Sequence, residues 1–218
     1  MTWDWDYAFG IMPALWQGFQ LTLLITFSAF AVSLVLGLVV AVFRFLKIPG
    51  LLQLLNFYVS FIRGTPLLVQ AYFVFFVLPY YGIVIDAVPT AILVLGINYS
   101  AYMAEVFRSG IEQLPKGQWE AARALSIGTR RTWVRIVIPQ AVFPIIPVIG
   151  NYLIQMFKDS AILSAITVLE LLGTSLQLGS RTFRYLEPIT LTGLLFLSIS
   201  FPSSLLVRRL EKRYGSTH

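Results

Sequence analysis

Residues 113–140 read QLPKGQWEAARALSIGTRRTWVRIVIPQ, a polar and arginine-rich stretch set between strongly apolar segments. Trp119, Glu120, Ala121, Ala122 and Leu125 belong to a run of good helix formers, with Pro115 and Gly117 before it as punctuation. Glu120 near the start and Arg130 and Arg131 near the end complement a helix dipole. Pro139 is expected to break the helical pattern before the next apolar segment. The spacing therefore predicts a short helix over 119–127 along the membrane face, with Ala121 and Ala122 small enough to let a partner approach. An ordinary amphipathic surface helix is the alternative.

Outward from this loop the chain is built for lipid. Its 218 residues are 57% hydrophobic and 12% charged, about half the charge of a soluble domain. Apolar runs of about 20 residues predict an all-α integral membrane protein with about five transmembrane helices. These fall at 19–43, 66–78 (with an interfacial lead-in from residue 51), 88–107, 141–157 and 189–207. The length allows one domain, 1–218. Residues 160–178 are apolar but interrupted by Glu170, Gly173 and Gln177, which fits a re-entrant or interfacial helix packed on protein. The N-terminus is acidic and aromatic, unlike the positive start of a signal peptide, and residues 1–14 are expected as an interfacial segment.

The basic residues set a direction. With the N-terminus outside, 13 of the 16 lysines and arginines fall on inner segments; Lys158, Arg181 and Arg184 do not. The positive-inside rule then puts residues 113–140 and the C-terminus in the cytoplasm. A net charge of +6 flanking apolar spans reflects orientation rather than nucleic-acid binding. With no cysteine, and the single histidine at the last position, disulfides, thiolate metal sites and clustered histidine ligands are excluded. The chain shows no phosphate-binding loop and no nucleophile beside a base, so no catalytic residue and no resident cofactor is expected.

Polar residues inside spans are costly and face protein or water. Asn151, Gln155 and Lys158 recur at i, i+4 and i+7 on one helical face, with Asp159 adjoining near the expected outer end of that span. Asn98 and Gln70 could complete the wall. Such amides donate to a carboxylate and accept from a cation, which suits a zwitterion; interhelical hydrogen bonds, worth roughly 1 kcal/mol each, are the structural alternative. Arg63 and Glu105, expected at similar depth, are read as an ion pair joining two helix ends. Ser33 and Gly37 suit close packing. The aromatic run from Tyr72 to Tyr81 suits an interfacial belt, with an aromatic box for a cation as the minor alternative.

Several motifs carry a family resemblance. Glu120, Ala121 and Ala122, with Ile136 and Pro139 downstream, resemble the signature loop of binding-protein-dependent ABC importer permeases. The run Phe61 to Gln70 (FIRGTPLLVQ), Glu105 to Ile111 (EVFRSGI) and Lys158 to Ser160 resemble the polar amino-acid branch. Met156 to Asp159, Leu163 to Leu172 and Thr182 to Pro188 are similar to the ectoine/hydroxyectoine branch. The resemblance implies an ABC type I importer permease fold with a cytoplasmic coupling helix, in which Trp119, Glu120, Ala121, Ala122, Leu125, Gly128 and Pro139 meet an ABC ATPase dimer. That ATPase would hold ATP and Mg. The resemblance also implies a second, related permease subunit, an extracytoplasmic solute-binding protein, a prokaryotic inner membrane, and a small zwitterionic solute of the ectoine type or, alternatively, a glutamine, arginine or histidine type. One position departs: Ser126 stands where the family usually has glycine. An ion-coupled secondary transporter, a channel or a scaffold would need no force-receiving loop.

Overall fold

The computed structural model describes residues 2–214, which are helical with connecting turns. Helix α1 spans Trp5–Phe45, and its 41 residues extend well before the expected span at 19–43. At 1.5 Å per residue it reaches about 60 Å, twice the hydrocarbon thickness. It absorbs most of the segment expected to lie at the interface. Asp4 caps it by accepting from the Tyr7 backbone N–H at 3.1 Å.

The second crossing is bent. Helix α2 (Leu51–Gly64) and the run Leu67–Tyr81, which begins as α3 (Leu67–Tyr72), meet at 104°. Pro66 restricts the residue before it to extended backbone, and Thr65 has φ −115° and ψ 139°. Gln70 fixes the corner: its amide donates to Ile62 O at 3.0 Å, Thr65 O at 3.2 Å and Thr65 Oγ1 at 2.6 Å. The expected lead-in from residue 51 is thus a full amphipathic helix.

Helix α4 (Ala87–Glu112) is the most enclosed crossing. It lies against α1 where small residues permit it: a Cβ on Gly37 would sit 2.5 Å from the Met103 Cβ, so the backbones touch as the Ser33 and Gly37 spacing implies. After it come α5 (Lys116–Ala124), α6 (Thr129–Thr132) and α7 (Ile138–Asp159). Pro139 does not break the chain there. A π turn over Trp133–Val137 precedes it, and the Ile138 N–H reaches Trp133 O. The same device, a π turn over Phe73–Val77, precedes Pro79. A widened turn accommodates the carbonyl that proline leaves without a donor, so helix continues where a break is expected.

Ser160–Ile166 continues α7 as a 3₁₀ helix, followed by α8 (Leu171–Thr182) and α9 (Leu186–Tyr214). Glu170 is wholly buried and caps α8, accepting from the Leu172 N–H at 2.9 Å and the Gly173 N–H at 2.7 Å. Thr22 of α1 donates to the same carboxylate and accepts from the Leu171 N–H at 3.0 Å. This packs the segment inside protein, as its broken apolar pattern suggests. At the end bearing the N-terminus, Arg184 pairs with Asp4 at 3.0 Å and Glu187 at 2.5 Å and lies 5.0 Å from the centre of the Tyr7 ring. The Tyr7 backbone N–H and the Arg184 guanidinium hold the Asp4 carboxyl below its ordinary range.

Candidate functional site

The antiparallel pairing of α4 and α7 sets the depth of the site. Gly110 meets Ala141 and Ile145, Tyr102 meets Tyr152, and Tyr99 meets Asp159. Tyr99 falls at the middle of α4, roughly 20 Å from either end at 1.5 Å per residue. Asp159, the last residue of α7, therefore lies at mid-depth and not near an outer end as the sequence suggests. Its carboxylate accepts from the Tyr99 hydroxyl at 2.6 Å and from the Gln155 amide at 2.9 Å.

These groups line a polar cavity of about 470 Å³ with Asn98, Arg63, Tyr102 and the Thr65–Pro66 corner. The chemistry of the lining is mixed: a carboxylate, a guanidinium, two amides and two phenols. Of the residues expected on the pathway, the fold brings Asn98, Gln155 and Asp159 together here. Gln70 stands behind Asn98, accepting from its amide at 3.1 Å while holding the corner. Asn151 and Lys158 lie elsewhere. The Asn151 amide donates to Glu211 of α9 at 2.9 Å, and the exposed Lys158 is not among the cavity's lining residues. The i, i+4, i+7 spacing places these residues on one stripe, but its exposed Asn151 end is turned to Glu211 of α9. Tyr99 and Tyr102 were not foreseen; their i, i+3 spacing beside Asn98 is the signal that could have found them.

The expected Arg63–Glu105 pair does not form. Glu105 pairs with Arg44 at 2.5 Å and Arg108 at 2.6 Å, and Arg44 also donates to Asn56 at 2.9 Å. Arg44 outcompetes Arg63 because α1 packs along α4 and delivers its last turn beside Glu105. The Arg63 guanidinium lies 5.3 Å from the centre of the Tyr102 ring. The described residues hold no cluster of acidic or histidine side chains able to bind a metal ion.

In the loop, Trp119 and Trp133 pack edge to face at 5.3 Å, and Trp133 packs on Phe45 at 4.9 Å, fixing α5 to the end of α1. Ala122 is 2% exposed and faces the protein, so it is not open to a partner as expected. Glu120 and Ala121 are exposed, and Leu125 is 73% exposed at the tip. Helix α5 ends at Ala124, short of residue 127, in a Schellman turn: the Ser126 N–H bonds Arg123 O and the Ile127 N–H bonds Ala122 O, each at 3.0 Å. Ser126 has φ +53°. That left-handed conformation is why glycine is the usual residue at such a position.

Residues 33–216 match the family of the binding-protein-dependent transport system inner membrane component. The chain belongs to this family. A probable amino-acid ABC transporter permease of Sinorhizobium fredii is 40% identical over 95% of this chain and 92% of its own length. An arginine transport system permease of Bacillus subtilis is 32% identical, covering 99% of both chains. A crystal structure of an amino acid ABC transporter with histidines superposes with a TM-score of 0.92 at 34% identity, covering 98% of this chain and 100% of that one. The protein is thus a multi-pass inner-membrane ABC importer permease of the polar amino-acid branch. It is a transport component rather than an enzyme, with ATP hydrolysis in a separate ATPase subunit and a solute-binding protein as partner.

Proposed function

We propose that this permease passes a polar amino acid through the cavity beside Asp159. The observation that carries the reading is a carboxylate at mid-depth, held by Tyr99 and Gln155 in a cavity that Arg63 also lines. An ammonium or guanidinium meets Asp159, and a carboxylate meets the Arg63 and Asn98 donors of the same cavity. Amino-acid relatives, including an arginine permease, support this solute class over the ectoine type, which rests on short motif runs alone.

In this reading Glu120, Ala121 and Leu125 form the face of α5 that meets the ATPase dimer, which holds ATP and Mg. Trp119, Gly128 and Pro139 position that face. The loop end faces the cytoplasm and the Arg184 end faces the binding protein, as the basic residues imply. A second, related permease subunit completes the pathway. Calorimetric titration of the partner binding protein with arginine, glutamine, histidine and ectoine tests the solute class. Micromolar binding of an amino acid is expected, and binding of ectoine alone would overturn it.

A further inference from the structure

A second polar cavity, of about 510 Å³, lies on the loop side of the Asp159 cavity, walled by Arg44, Asn56, Ser60 and Glu105. The two cavities share Arg63, Gly64 and Tyr102. At that shared edge the Arg63 guanidinium rests over the Tyr102 ring. We propose that this stack is the partition between the two cavities, and that its opening connects the mid-depth cavity to the loop side. The inference rests on the reading of the Asp159 cavity as the solute's path.

Neither cavity holds a free acid to draw Arg63 away. Glu105 is engaged by Arg44 and Arg108, and Asp159 by Tyr99 and Gln155. Among the described residues Arg63 makes no ion pair, so the ring face is its resting partner. Tyr102 is itself held by Tyr99 and Tyr152, at 5.8 Å and 5.7 Å between ring centres. It is the fixed half of the stack. Arg63 is the movable half, one residue from the end of α2 and beside the 104° corner. A change in that angle lifts the guanidinium off the ring, which ties the partition to the movement of a whole helix.

The chain has no cysteine, so with any thiols of its partner subunits replaced, single thiols report each side. Ser60→Cys marks the loop-side cavity and Leu67→Cys the mid-depth one. The assembled importer is placed in vesicles with the loop facing the medium, checked by Gln118→Cys, and treated without ATP or solute with a charged impermeant thiol reagent. Leu67→Cys is expected to react at least tenfold more slowly than Ser60→Cys. Adding Tyr102→Leu, or separately Arg63→Ala, is expected to raise the Leu67→Cys rate at least tenfold and leave Ser60→Cys unchanged. Tyr102→Phe, which keeps the ring, is expected to stay slow. Equal rates at the two thiols in the parent, or a Leu67→Cys rate indifferent to both Tyr102→Leu and Arg63→Ala, would overturn the partition. No solute is used, so that result is separable from failure of the amino-acid reading, which uptake assays address.

Discussion

The Tyr99 hydroxyl donates a 2.6 Å hydrogen bond to Asp159 from the midpoint of α4 to the last residue of α7. This contact orients the one acid of the mid-depth cavity. Tyr99→Phe removes the hydroxyl and little volume. A hydrogen bond to a charged group contributes about 1.5–3 kcal/mol, so the KM for uptake is expected to rise about tenfold or more with assembly retained. Asp159→Asn is expected to affect cationic amino acids more than neutral ones. Uptake by reconstituted importer measures both, and an unchanged KM in both variants would remove Asp159 from the pathway.

Glu105 joins α1 and α4 through Arg44 and connects to α2 through the Arg44–Asn56 bond. Glu105→Ala leaves Arg44 with little solvent to compensate its charge, since its side chain is only 15% exposed. A loss of roughly 1–3 kcal/mol is expected, below the value for a fully buried pair. Arg44→Ala combined with Glu105→Ala should be less damaging than the sum of the two, whereas Arg63→Ala should show no such coupling to Glu105. Thermal unfolding of the three single and two double variants in detergent decides the matter.

Ser126 occupies the left-handed position of the Schellman turn after α5. A residue with a Cβ costs about 1 kcal/mol there relative to glycine. Ser126→Gly is expected to raise stability by about that amount and Ser126→Val to lower it. Slower amide exchange across residues 116–127 in the glycine variant is the measurement.

Exposure separates two neighbouring alanines. Thiols at Ala121 and Leu125 are expected to crosslink to the ATPase in an active importer, while one at Ala122, buried beneath the helix, is not. Crosslinking from Ala122 at the rate of Ala121 would mean that α5 docks by its other face.

The Asp4–Arg184 clasp carries an acid-side limit. A carboxyl held below its ordinary range stabilises the fold above its unfolded value, near 4, and that contribution fades as pH falls through the lower folded value. Fluorescence of the nearby Trp3 and Trp5 should therefore change as pH drops from about 5 toward 2, and Asp4→Asn should weaken the dependence, leaving the part carried by Glu187, which shares Arg184.

Much of this was legible in the chain. Apolar length placed five crossings, and the Glu120–Ala121–Ala122 motif placed the loop helix, because both signals are local. The depth of Asp159 was not, since it depends on where α7 stops relative to α4, a pairing that no single segment contains. The partner of Glu105 failed for the same reason: depth admits Arg63, but only the packing of α1 brings Arg44 closer. Pro139 misled because an unpaired carbonyl can be absorbed by widening one turn. Ser126 was visible as an oddity, and its backbone angle explains it.

Helix α7 ends on the very acid that lines the mid-depth cavity, and the chain then winds more tightly through Ser160–Ile166. A group carried at a helix terminus is re-aimed by winding or unwinding a single turn, without tilting the rod behind it. Adding one residue between Asp159 and Thr167 would thus rotate the rest of the segment while leaving the loop end of α7 in place. A change of length beyond Asp159 is thereby uncoupled from the end of α7 that carries the loop.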